Sequence, residues 1–196
     1  MAFTASTAFE ARVTNGRFND LENIAGKFGT VSDGVLTPAD CSAGWLCTRS
    51  VRLPVEGFST IQNENTWAMI AATNTITAGE PVYACNPYDW ELNNGYAIGH
   101  KTLGLGAPSG RYCAFTNIVF DGQHIYRFGV GNLASSLSTN KYCTIASGQL
   151  SPTASAPTAD GAIYFEVVGT GYFTEGTTTS FGYVDVIAKQ VRVSEA

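Results

Sequence analysis

Charge is scarce in this chain, and catalytic equipment is scarcer. Only 14% of its 196 residues are charged, and the 16 acidic and 11 basic side chains, net −5, are scattered instead of blocked. Phosphate binding needs a concentrated basic surface, so a nucleic-acid partner is not expected. No window approaches the ~20 apolar residues of a membrane-crossing helix, and no membrane partner is expected. The opening Met1-Ala2-Phe3-Thr4-Ala5-Ser6-Thr7 has no Lys or Arg ahead of an apolar stretch, so no export signal is read there. Asn-x-Ser/Thr is missing throughout, which removes any glycosylation argument for a secreted eukaryotic origin.

Histidine is nearly absent. His100 follows a glycine and His124 follows an Asp-Gly turn signal, and neither has the spacing of a metal ligand. A serine hydrolase needs a nucleophile elbow of the Gly-x-Ser-x-Gly kind, which Ala107-Pro108-Ser109-Gly110 resembles only superficially. Asp89 and Glu91 flank Trp90, but two carboxylates at i and i+2 of one loop have no reason to face each other across a cleft. The glycine pairs Gly104-x-Gly106 and Gly129-x-Gly131 lack the following helix that a phosphate loop requires. Neither an Asp-x-Asp-x-Asp series nor a Cys-x-x-Cys pair occurs. No catalytic, cofactor-binding or metal-ligating residue is assigned, and a non-enzymatic protein is expected.

Five cysteines (Cys41, Cys47, Cys85, Cys113 and Cys143) make an odd set in a chain large enough to bury roughly 70% of its unfolded surface without staples. Free thiols in a reducing compartment are expected. Cys41 and Cys47 would pair only if Cys41-Ser42-Ala43-Gly44-Trp45-Leu46-Cys47 formed a tight loop.

What the sequence does have is short β-prone runs separated by turn residues. Ser50-Val51-Arg52-Leu53-Pro54-Val55 alternates with period two, and Trp45-Leu46-Cys47 reads as a further strand fragment. Thr66–Ala72 is apolar after Thr66 and predicts a fully buried strand, with one helical turn as the alternative. Val82-Tyr83-Ala84-Cys85 and Lys141–Ala146 predict two more. Thr116–Phe120 and Gln123–Val130 around Asp121-Gly122 predict a hairpin, because the type I′ turn favours Asp-Gly. Ser151–Thr158, made of small residues and proline, predicts an exposed linker or long loop, with a sub-boundary near 150–160. Ala162–Val168, Gly171–Thr174 and Phe181–Val193 supply the last strands. The fold expected is mainly β, an antiparallel β-sandwich or barrel.

Residues 1–30 differ. Phe9, Val13, Phe18, Leu21, Ile24 and Phe28 recur every three to five residues, which predicts short helical turns around Asn19–Lys27, interrupted at Asn15-Gly16 and Gly26. The chain therefore divides into an extended, partly helical N-terminal arm (1–30) and a β-rich body (31–196).

This Thr/Gly-rich β-pattern, with Gly161-Ala162-Ile163-Tyr164-Phe165-Glu166-Val167-Val168-Gly169-Thr170-Gly171 and Thr174-Glu175-Gly176 through Gly182-Tyr183-Val184-Asp185-Val186 preceded by an apolar arm from Phe3 to Phe28, resembles the capsid decoration (cement) and head-fibre proteins of tailed phages. The resemblance covers most of the chain in style and contains no specific motif. It implies a virion protein made in the host cytoplasm and placed on the capsid surface. The major capsid protein would be its partner, bound where subunits meet, with a homotrimer as the favoured assembly. Within that reading Phe3, Phe9 and Phe18 are the expected docking residues. The alternative is a carbohydrate-binding or host-adhesion β-module of a phage or bacterial surface, with Tyr88, Trp90 and Tyr96 as its aromatic platform.

Overall fold

Period-two patterns dominate the sequence, and strands dominate the molecule. The computed structural model describes residues 6–12, 23–54, 62–74, 80–86, 106–175 and 179–192. They form strands β1 (Phe9–Arg12), β2 (Asn23–Ser32), β3 (Val35–Pro38), β4 (Cys41–Ser42), β5 (Leu46–Pro54), β6 (Gln62–Ala71), β7 (Val82–Asn86), β8 (Gly106–Ala107), β9 (Cys113–Ile118), β10 (Asp121–Gly129), β11 (Tyr142–Ala146), β12 (Gln149–Thr153), β13 (Ile163–Glu175) and β14 (Thr179–Gln190). The mainly β class with a barrel is thus as expected.

Two assemblies share the work. The first is an antiparallel sheet in the order β1-β10-β14-β13-β11-β12. The second runs β2-β6-β5-β7-β9 and closes on itself because β9 pairs back with β2, making a five-stranded barrel. Its pairs are antiparallel except β2 with β6, which align in parallel from Ala25↔Thr66 to Phe28↔Met69. β3 hangs from β2 through Asp33-Gly34, whose φ angles of 49° and 77° are the left-handed pair a type I′ turn demands. Ser147-Gly148 turns β11 into β12 in the same way, with φ of 47° and 81°. The short strands β4 and β8 make a separate two-stranded ribbon.

Alternation along the strands sends side chains into two cores. Ile24, Phe28, Cys47, Met69, Tyr83, Cys85 and Phe115 fill the barrel. Leu46, Val82, Ala84 and Ile118, from the outer face of the same barrel strands, pack on Tyr126, Phe128, Phe165, Val184 and Val186 of the sheet. β7 is therefore buried on both faces, which is why Val82-Tyr83-Ala84-Cys85 reads as an uninterrupted apolar run. Thr66–Ala72 is a strand as expected, although Trp67, Ile70 and Ala71 are only half-buried.

Several expectations need correction. The helical turns around Asn19–Lys27 are not formed where the chain is described: from Asn23 onward it is β2, with Ile24, Gly26 and Phe28 facing inward. An apolar spacing of four satisfies either period, and two glycines weaken a helix while strand pairing on both sides rewards the extended form. The expected boundary at residue 30 falls inside this strand, and Asn19–Glu22 lie outside the described residues. The Asp121-Gly122 hairpin does not exist. β9 pairs with β7 and β2, β10 pairs with β1 and β14, and residues 119–120 carry the chain from barrel to sheet. The crossover is held by the Val119 amide, which donates to the Tyr126 hydroxyl at 2.8 Å, and by Phe120, which packs on Phe165. Two β-prone runs joined by Asp-Gly are drawn to different sheets because each has an apolar face to cover. Ser151–Thr153 of the expected linker belong to β12.

Gly26 sits where a side chain has no room: a Cβ there would lie 2.6 Å from Met69 Cγ and 2.8 Å from the Trp67 carbonyl oxygen. Gly26→Val should lower stability by about 1–3 kcal/mol, read by urea unfolding, because the backbone contact cannot be relieved by a new rotamer.

At the start of β10, Asp121 accepts from the amides of Gln123 (2.8 Å) and His124 (3.3 Å) and from His124 Nδ1 (2.9 Å). Partial burial opposes its ionisation, yet these hydrogen bonds hold its pKa below the usual 3.8. A carboxylate lowered on folding contributes stability that is fully present above its unfolded pKa and is lost as pH falls through the folded value. Asp121→Asn keeps an acceptor for the amides and removes the charge. Its unfolding midpoint should fall less steeply than the parent's between about pH 4 and about pH 2.

Candidate functional site

The residues singled out from the sequence scatter. Phe3, Phe18, Tyr88, Trp90 and Tyr96 lie outside the described residues. Phe9 is described, and it is only 3% exposed. It enters β1, pairs with Phe128 in register, and packs its ring against Phe128 (5.4 Å between centroids) and Tyr126 (6.3 Å). The edge strand it belongs to extends the chain's own sheet. Buried Asn132 fixes the approach to it, accepting from the Ala8 amide at 3.0 Å and donating to the Ala43 carbonyl at 2.7 Å.

Two constellations emerge that no sequence motif announced. The first is a thiol cluster at one end of the barrel. Cys47 enters from β5, Cys85 from β7 and Cys113 from β9, and the β4–β8 ribbon adds Cys41 and Ala107 above them. All are free, so the Cys41–Cys47 pairing is not formed. Cys85 Sγ lies 3.9 Å from Cys113 Sγ and 3.9 Å from the Cys41 carbonyl oxygen. Burial pushes the Cys41 thiol up, reinforced by its Cys47 and Cys85 neighbours, and burial also raises Cys47. Burial opposes charge on Cys85, but hydrogen bonds from Cys113, Cys41 and the Ala107 amide outweigh it and lower its pKa. Cys113 is raised, by its hydrogen bond to Cys85 and then by burial. Cys143 stands apart in the other core, where burial alone pushes it up to about 12. Among the described residues, no three His, Cys, Asp or Glu side chains are arranged to hold a metal ion.

The second constellation runs across the outer face of the sheet. Register places Glu10, Arg127, Asp185 and Gly169 side by side on β1, β10, β14 and β13. Arg127 forks onto Asp185 through Nε and Nη2, both at 2.7 Å, and Glu10 lies 3.9 Å from Nη1. The guanidinium sits 3.5 Å from the Tyr183 ring centre. Asp185, chiefly by hydrogen bonding, holds the Arg127 pKa above its ordinary value. Gly171 lies beneath Tyr183: a Cβ there would stand 2.5 Å from the phenol oxygen. Gly171 thus clears space for the tyrosine opposite it.

Beyond this row β13 and β14 continue as a hairpin, with Val130 still packed against Gly182 of β14. β11 pairs with β13 only at Phe165 and Glu166, and β10 leaves β14 at Tyr183, whereas β13 and β14 stay paired to Glu175↔Thr179. Val168 is the extra residue of a bulge at that departure, and Tyr172 beyond it is 75% exposed. Among the described residues no strand lies beside the outer edge of β13 from Val168 to Glu175.

Comparison with protein-family models, with curated proteins and with solved structures finds no match.

The planar fork and the ring stack both need arginine. Arg127→Lys should cost about 1.5–3 kcal/mol in chemical denaturation, since a lysine supplies neither the second parallel hydrogen bond nor the flat face under Tyr183. A loss under about 0.5 kcal/mol would mean that the row is only a surface decoration.

Proposed function

We propose that this chain is a non-enzymatic structural protein of a phage virion, made in the host cytoplasm, that decorates and stabilises the capsid by binding the major capsid protein between subunits. The observation that supports this reading best is the free half of the β13–β14 hairpin. A stretch of strand continues past its neighbours, its outer main-chain edge unpaired among the described residues, and presents Tyr172 to solvent. An open strand edge is an aggregation hazard unless it has a partner, and β-augmentation by a neighbouring chain satisfies its hydrogen bonds while side chains of alternate residues set specificity. The arm remains a second docking element through Phe3 and Phe18. Phe9 is committed to the chain's own sheet. A trimer would present three such hairpins to a local three-fold position, so modest contacts add over a symmetric lattice.

Sedimentation of the purified chain with empty shells of the capsid protein from the same genome tests this. Saturable binding at a fixed ratio to capsid subunits is expected. Tyr172→Ser, at an exposed position that leaves both cores intact, should weaken binding about tenfold, the loss typical of one exposed aromatic at an interface. A folded chain that does not bind overturns the decoration reading and directs attention to glycan screening of the segment holding Tyr88, Trp90 and Tyr96.

A further inference from the structure

The thiol cluster is more than buried packing. Cys85 is the last residue but one of β7, and Cys113 is the first of β9. Their strands are neighbours with Cys85 in register with Phe115, so Cys113 lies two places along on the same face, where the ladder stops at Asn86↔Ala114. Strand ends yield more readily than strand centres. The two sulfurs are 3.9 Å apart, and a bridge needs about 2.05 Å, so roughly 1.9 Å must be closed at the last rung. Cys113 is only half-buried, whereas Cys41, Cys47 and Cys85 are wholly enclosed. No other pair of the five combines neighbouring strands, a shared face and sulfurs in contact.

We propose that Cys85 and Cys113 are a redox modification site that closes to a disulfide when the folded protein meets a hydroperoxide. One sulfur of the pair, as its thiolate, attacks one oxygen of hydrogen peroxide. An S–O bond forms, the O–O bond breaks, and the departing hydroxide takes up the proton that this thiol had released, giving water. The resulting sulfenic acid is attacked by the other sulfur, 3.9 Å away. An S–S bond forms, the S–O bond breaks, and the leaving hydroxide carries off the second thiol's proton as a second water. Two thiols are oxidised by two electrons and one peroxide is reduced to two waters. Cys85 Sγ lies 3.9 Å from the Cys41 carbonyl oxygen and 3.9 Å from Cys113 Sγ, so the two sulfurs are already side by side. Cys143, alone in the other core, has no such partner and stays reduced. The bridge would tie β7 to β9 at the end of the barrel, and its reversal by a dithiol reopens it.

The full-length folded chain is treated with hydrogen peroxide, its remaining thiols are alkylated after unfolding, and unreduced peptides are mapped by mass spectrometry. The expected product has three alkylated cysteines and one linked peptide pair containing Cys85 and Cys113, and dithiothreitol returns all five thiols. Cys113→Ala, at the half-exposed position, should abolish the link. Cys143→Ala should leave it unchanged. Should Cys85→Ser fail to fold, the Cys113→Ala and Cys143→Ala pair still decides the matter. Five alkylated thiols after peroxide, or a link through Cys41 and Cys47, would overturn the assignment.

Discussion

The barrel strands β5, β7 and β9 are asked to face two ways at once, and the remaining structure depends on their doing so. Leu46, Val82, Ala84 and Ile118 look towards the sheet, while their chain neighbours Cys47, Tyr83, Cys85 and Phe115 look into the barrel. A sheet with one apolar face needs a cover, and the outer faces of β5, β7 and β9 supply it. Each fully buried aliphatic or aromatic side chain contributes about 1.5–3 kcal/mol relative to exposure, so a wall that serves two cores counts twice. The same constraint explains why β9 and β10 part company: residues 119 and 120 must deliver one strand to the barrel and the next to the sheet.

Once that wall is set, polar groups are confined to particular places. Asn132 is buried, yet it is spent on joining the Ala8 and Ala43 backbones, which ties the first strand to the turn leading into β5. Arg127 is 8% exposed and is balanced by Asp185 with Glu10 close by, on the face of the sheet turned away from the core. A charge this enclosed is tolerable because its partner is bidentate and its plane is covered by Tyr183. Gly171 of β13 has a packing reason: it is the floor on which Tyr183 lies.

The molecule thus has a chemically quiet outside and a chemically loaded inside. Outward, the free half of the β13–β14 hairpin offers backbone edge and one exposed tyrosine, the kind of surface that engages another protein by strand addition. Inward, four thiols meet at the barrel end under a two-stranded ribbon. The thiols and the hairpin thus belong to different parts of the fold, the barrel and the sheet. The proposed lattice role draws on the first and is independent of the second.

How much of this was legible in the residues follows from the range of the forces involved. Strand preference is local, so the β class and the strand at Val82–Cys85 could be read from residue types, and Thr66–Ala72 could be narrowed to a strand or one helical turn. The scarcity of charge and of recognisable catalytic motifs was legible too. An apolar spacing of four at Ile24 and Phe28 fits helix and strand alike, and pairing with β6 and β9, distant in sequence, decided it. Asp121-Gly122 carried a sound hairpin signal that was overruled because the two flanking runs find better cover in different sheets. The thiols could not be seen as a group, since 72 residue positions separate Cys41 from Cys113 and only barrel closure brings their strands together. The sequence by itself determined the β class, the scarcity of charge and most of the strand segments, because those preferences reside in single residues and their neighbours. Tertiary structure alone decided which strands pair, that one wall serves two cores and that the sulfurs meet, because burial is settled between segments that the chain keeps far apart.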